Sequence, residues 1–365
     1  MADTVRAAVQ LGPRRIEIQE FRRPRIGPDH GLLRVEANGI CGSDVETYKG
    51  HLGNAADPFI PGHEPLGIIE EVGERAAAAW GVRPGDRVAV EVIVPCRSCH
   101  RCLTGRYQSC RNRTVGHGVT PLKVAPGLWG GLAEYLYLSP GAILHPIDKT
   151  LPAELAVMYN PIGAGVRWTC HLGGVGLGDT VLILGPGQRG LAAVIAARAA
   201  GAGTIIVTGL AADAHKLTLA REFGADHTIV VDESDTVQRV TDLTDGQLAD
   251  VTLELTPMAT APVTDALLST RHGGRVVLAG LKGGTEVPVR TDLIVNRALT
   301  VVGAFGVDAR AYAEAIRIIE SRRFPLDRLH THSFGLNDTT LAIQTLAGEV
   351  SGETAVHVSV HPGAI

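Results

Sequence analysis

Val181-Leu182-Ile183-Leu184-Gly185-Pro186-Gly187-Gln188-Arg189-Gly190-Leu191 is the stretch on which the fold turns. Four consecutive apolar residues suit a strand buried on both faces, as in parallel sheets covered by helices. The next six fit G-x-G-x-x-G, and 191–200 has helical composition. A bare glycine pattern is weak, but here it follows a strand and opens a helix, the setting in which it binds a dinucleotide. Gly185 makes the turn, Gly187 lets pyrophosphate approach the backbone, and Gly190 packs helix on strand. Gln188 and Arg189 start the helix, whose free N–H groups and dipole favour an anion. These five residues are candidate cofactor contacts.

Further along, 204–207, 227–231, 251–255 and 275–279 repeat the strand theme, with helical stretches between them. That alternation predicts a parallel sheet covered on both faces. Val301-Val302 reads as a sixth strand, and Asp308 as the cap of a helix with Tyr312, Ile316 and Ile319 on one face. An acid about 20 residues past the glycines usually receives the adenosine ribose. Gly209 stands there instead. Its lack of charge removes repulsion against a 2′-phosphate, yet no Arg follows at once to attract one. Lys216, His215 and Arg189 are the candidate cations, and Asp213 could reach a ribose diol. NAD or NADP is expected, with NAD slightly favoured.

Upstream, the first ~150 residues hold short β-like runs (32–37, 66–72, 87–92) broken by Gly and Pro, the signature of a compact, mostly β domain. The tail returns to β-like segments at 332–334 and 356–360 and is expected to rejoin it. Inside the β region, Cys96-x2-Cys99-x2-Cys102-x7-Cys110 brings together four of the six cysteines. Zinc takes four such thiolates in a closed tetrahedron, a structural site. Free thiols, disulfides and an iron–sulfur cluster are the alternatives. Gly39-Ile40-Cys41-Gly42-Ser43-Asp44 and Pro61-Gly62-His63-Glu64 offer a second donor set. Cys41, His63 and Glu64 would leave zinc an open position. A lone Cys and a lone His are more often core residues, so residue types alone do not establish this site.

The 365 residues carry 34 Lys+Arg against 38 Asp+Glu, a net charge of −4. That balance argues against a nucleic-acid partner. No apolar run reaches the ~18 residues of a membrane span, and the N-terminus lacks a signal pattern. No membrane association and a cytoplasmic location are expected.

These motifs, with Gly85-Asp86-Arg87-Val88 and Gly131-Leu132-Ala133-Glu134-Tyr135, stand in one order along nearly the whole chain. They resemble the zinc-containing medium-chain alcohol dehydrogenase family, most of all its polyol (sorbitol) and threonine dehydrogenase branch. The resemblance implies an α/β fold: a Rossmann doubly wound parallel sheet plus a GroES-like, partly open β-barrel catalytic domain. It places the catalytic domain at 1–154, with a structural zinc lobe at about 95–112. The Rossmann domain follows at 155–303, and 304–365 returns to the catalytic domain, with the active site in the cleft. It implies two zinc ions per chain, the catalytic one on Cys41, His63 and Glu64. Ser43 matches the hydroxyl that bonds the substrate alcohol, and Asp44 a carboxylate behind the ligands.

Three positions depart from the pattern. Asn160 replaces a Cys, Asp or Glu and is expected to hold water or substrate. Glu46 stands where many members carry a proton-relaying His, and Gly209 replaces the ribose acid. The implied activity is interconversion of a secondary alcohol or polyol with its ketone or aldehyde by hydride transfer to NAD(P). A metal-free reductase of activated double bonds and an inactive nucleotide binder are the alternatives. A homodimer or homotetramer is expected, with an edge strand near 299–302 available to pair.

Overall fold

The computed structural model describes residues 4–52 and 57–363. The chain forms two compact units, Met1–Tyr159 with His330–Ile365, and Asn160–Leu329.

The second unit is built on six parallel strands. Across the sheet they run His227–Val230, Thr204–Gly209, Thr180–Leu184, Ala249–Glu254, Thr270–Leu278 and Thr300–Gly303. The chain therefore starts in the middle, winds outward one way, crosses back and winds outward the other way. This is the doubly wound Rossmann order, in which ligands bind where the direction reverses. Val181, Leu182, Ile183, Ile205, Ile206 and Val207 are fully buried. Each such aliphatic side chain contributes about 1.5–3 kcal/mol.

Asp308 accepts from the Ala311 N–H and starts the helix Ala309–Glu320. Tyr312, Ile316 and Ile319 are its buried face. The sequence reading began the returning segment at 304, whereas this helix lies in the second unit and the chain leaves that unit only at 330. The helix is tied down there by Asn160 Nδ2, which donates to Tyr312 Oη at 3.2 Å, and by a His171–Glu314 contact at 2.7 Å.

The first unit is a mixed, largely antiparallel sheet. Its central strand, Gly31–Ile40, pairs with Pro65–Val72, with Tyr135–Leu138 and with the tail strand His357–His361. Val358 sits opposite Ile40 and Ser359 opposite Gly39. The last residues of the chain thus hold the strand end that leads into Cys41. Among the described residues no helix is long and apolar enough to cross a membrane.

Candidate active site

Cys41 caps the helix Gly42–Lys49, an N-terminal position where the helix dipole favours negative charge. Asp44, buried in the first turn, accepts from the Cys41 N–H at 2.8 Å and from His63 Nδ1 at 3.1 Å. One carboxylate thus fixes both the thiol-bearing turn and the imidazole. The other ring nitrogen, Nε2, comes to 3.9 Å from Glu64 Oε1. Ligand atoms of Cys41, His63 and Glu64 all lie within 4.8 Å of one another.

Glu64 is fully buried. Glycine makes room for it: a Cβ on Gly39 would overlap Glu64 Oε2. Gly62, at φ +93°, lets the next turn pass 2.6 Å from Leu132 N, measured to where a Cβ would stand. Burial works to lower the His63 pKa, but Asp44 and Cys41 raise it well above the usual histidine value. The pocket therefore favours positive charge at its centre. A thiolate, an imidazole and a carboxylate with that polarity fit a zinc ion with an open position.

The four cysteines of the lobe also converge. Sγ separations are 3.9 Å (Cys96–Cys102), 3.5 Å (Cys99–Cys102) and 3.9 Å (Cys99–Cys110). Four sulfurs at ~2.3 Å from one tetrahedral zinc stand about 3.8 Å apart. Ser98 and the Cys99 N–H pull the Cys96 thiol down to about 5, while burial and neighbouring thiols push Cys102 up to about 12. Four thiolates so close would repel one another, and a divalent cation relieves that. The donor set fits a closed, structural zinc.

In the second unit the glycine loop is tight at Gly185 and Gly190 and open at Gly187. Gly185 turns at φ +104°. Gly187 caps the helix Gln188–Ala200, and a Cβ there would meet nothing within 4 Å, the open approach a pyrophosphate needs. A Cβ on Gly190 would strike the Gly185 carbonyl, so the start of the helix lies against that turn only because residue 190 is glycine.

Comparison with known proteins agrees with this geometry. The family model for the alcohol dehydrogenase GroES-like domain matches residues 27–149, and that for zinc-binding dehydrogenases matches 190–321. A Mycobacterium tuberculosis protein named probable alcohol dehydrogenase is 43% identical, over 98% of each chain. Sorbitol dehydrogenase of Bacillus subtilis is 33% identical over 93% of each. The chain belongs to the zinc-dependent medium-chain alcohol dehydrogenase family. It stands near the sorbitol and threonine dehydrogenase branch, and its activity is oxidation and reduction between alcohols or polyols and carbonyls. Among solved structures, a Sinorhizobium meliloti 1021 protein named for zinc-binding dehydrogenases and bound to NADP is similar over 99% of this chain and 100% of that one. Its TM-score is 0.87 and its identity 28%.

In this dehydrogenase Gly209 ends its strand buried, next to the loop. The Leu210 N–H is taken by Asp213 (3.2 Å) and the Ala211 N–H by Asp232 (2.7 Å). Lys216 is ion-paired with Asp213 at 2.8 Å. Arg189 Nη1 donates to the Asn160 carbonyl at 3.1 Å, with its guanidinium 5.7 Å from the Trp168 ring centre. Asn160 is buried, its amide on Tyr312. Ser43 and Glu46 are half-buried on the helix behind Cys41.

Three features escaped the sequence reading. His51 Nδ1 lies 2.7 Å from Glu46 Oε2, brought there because the helix ends at Gly50 and the chain doubles back. Gly39 leaves room for Glu64, and Asp232 caps Ala211 from beyond the neighbouring strand. The last two come from the pairing of separate segments.

Proposed function

We propose that this dehydrogenase acts with a catalytic zinc on Cys41, His63 and Glu64, a structural zinc on Cys96, Cys99, Cys102 and Cys110, and NAD. The observation that carries this is the trio of donor atoms within 4.8 Å, with Asp44 bonded to the far nitrogen of His63. Zinc there supplies Lewis acidity toward an alcohol or carbonyl oxygen, and the nicotinamide supplies the hydride chemistry.

The chain's own residues bind, orient and move the proton. Asp44 holds His63 with Nε2 toward the cluster, as carboxylates behind metal ligands do. Ser43 bonds the substrate hydroxyl and takes its proton while giving its own to Glu46. Glu46 follows Ser43 by three positions, so both lie on one helix face. Glu46 passes the proton to His51, which is half exposed to solvent. This pair takes the place of the relay histidine that the family carries at position 46. Asn160 offers a neutral amide where relatives place an anion, and we assign it to holding water or substrate.

NAD is favoured over NADP on charge. The N–H groups after Gly209 that would cradle a 2′-phosphate are capped by Asp213 and Asp232, and Lys216 is already neutralised. A phosphate dianion would meet two carboxylates there. The NADP held by the Sinorhizobium meliloti relative is the counter-reading. We also assign the enzyme to a homo-oligomer, since the outer strand Thr300–Gly303 is largely exposed.

Metal analysis with turnover tests the proposal. Two zinc ions per chain are expected, with higher kcat/KM for NAD than for NADP on secondary alcohols or polyols. Cys41→Ala should lose one ion and its turnover while staying folded. Full turnover in that variant would overturn the catalytic zinc, and preference for NADP would overturn the cofactor reading.

A further inference from the structure

The carboxyl edge of the parallel sheet carries a buried ion pair that the chemistry above does not use. Glu254 ends the strand Ala249–Glu254, in register with Leu184, the residue before Gly185. The winding direction reverses between these two strands, the point at which ligands bind. Glu254 is fully buried. Its Oε1 accepts from Lys282 Nζ at 2.9 Å, from the Thr256 N–H at 3.0 Å and from the Thr256 hydroxyl. Lys282, also largely buried, donates to the Thr256 carbonyl at 2.6 Å. Glu254 Oε2 is buried with no hydrogen-bond partner among the described residues.

The pair fastens together the two loops that leave neighbouring strands. The Ala279 and Gly280 N–H groups donate to the Glu254 carbonyl at 2.9 and 3.1 Å, and the Met258 N–H donates to the Leu281 carbonyl at 2.8 Å. Thr256 in turn borders the dinucleotide loop, for a Cβ on Gly185 would stand 3.0 Å from its Cγ2. An apolar pair of equal volume would be as stable as a buried ion pair, or more so. What the pair contributes is therefore defined geometry, and a buried carboxylate oxygen left without a donor is costly until something supplies one. In this fold one half of the sheet takes the adenosine half of a dinucleotide, and the other half takes the nicotinamide half. Gly209 lies in the first; Glu254 and Lys282 lie in the second.

We propose that Glu254 and Lys282 are positioning residues for the nicotinamide half of the cofactor. Their ion pair sets the rim formed by 255–258 and 279–282, against which the nicotinamide nucleoside is held. The inference rests on reading the cofactor as a nicotinamide dinucleotide.

Calorimetry on the full chain with NADH and with ADP-ribose, which lacks the nicotinamide, tests it. Wild-type protein that binds neither probe overturns the cofactor reading, and the inference with it. Where wild type binds both, Lys282→Met is expected to weaken NADH about tenfold and ADP-ribose by less than about twofold. Lys282→Arg should restore most of the difference. The double variant Glu254→Gln/Lys282→Met strands no charge, so it stays folded and should show the same selective loss for NADH. Unchanged NADH affinity, or equal weakening of both probes in the double variant, overturns the positioning role while leaving the cofactor reading intact.

Discussion

At the scale of single residues, the candidate zinc site depends on a side chain that is missing. Gly39 is not in the left-handed region; it is glycine because the Glu64 carboxylate occupies the volume of its Cβ. Gly39→Ala must push Glu64 aside or shift the strand. The variant is expected to bind catalytic zinc 10–100-fold more weakly, a loss typical of disturbing what supports a ligand. Zinc titration against a chromophoric chelator reads this directly, and unchanged affinity would show that Glu64 is not a ligand. His117 is a second residue with a consequence of its own. It is fully buried, with Nδ1 2.6 Å from the Glu91 carbonyl, and burial lowers its pKa to about 4. The unfolded chain titrates near 6.5, so between pH 6.5 and 4 the unfolded state binds the extra proton. Stability from a neutral His117 is whole above pH 6.5 and drains away as pH falls toward 4, by up to about 3 kcal/mol. His117→Asn keeps an N–H for Glu91 and cannot take up the proton. Denaturant melts from pH 7 to 4 should show a shallower loss for this variant than for wild type.

At the scale of elements, the cysteine lobe is the clearest case of a segment that its own side chains do not hold. No residue from 96 to 107 is buried, and Leu103 is 72% exposed. With so little apolar contact, the proposed zinc would be what orders the segment. Cys110→Ser is therefore expected to lose one zinc per chain and to open the lobe to limited proteolysis between Arg97 and Arg113. The rest of the sheet should keep its far-ultraviolet circular dichroism. A protease-resistant lobe in that variant would mean that packing suffices. The helix that starts at Cys41 makes the opposite point. Its first turn is legible in Cys41-Gly42-Ser43-Asp44, but the reach of Asp44 to His63, nineteen positions away, follows from the pairing of Gly31–Ile40 with Pro65–Val72.

At the scale of the whole molecule, the outer strand Thr300–Gly303 pairs on one side only, with Thr270–Leu278, and Val301 is exposed. An apolar edge left open is a template for a second chain. Val301→Lys should shift the protein to a smaller species in light scattering at the same concentration; an unchanged mass would show that this edge pairs with no second chain. Both chain ends build one unit, so the strand before Cys41 depends on residues more than 300 positions away.

What the sequence determined by itself was everything set by local periodicity and short spacing. The doubly wound sheet was legible in its continuous apolar strands, the glycine turn in Gly185-Pro186-Gly187-Gln188-Arg189-Gly190, and the lobe in cysteines spaced a few residues apart. Only the tertiary structure decided what lies across strands. It brought Glu64 into the room that Gly39 leaves, carried Asp232 to the Ala211 N–H and locked Lys282 onto Glu254. It also kept 304–329 in the second unit, because the buried face of Ala309–Glu320 packs there. The physical reason is range: backbone geometry and burial periodicity act over a few residues and can be read along the chain. Charge pairing and steric exclusion act through space, between segments whose neighbours are fixed only once the sheet has formed.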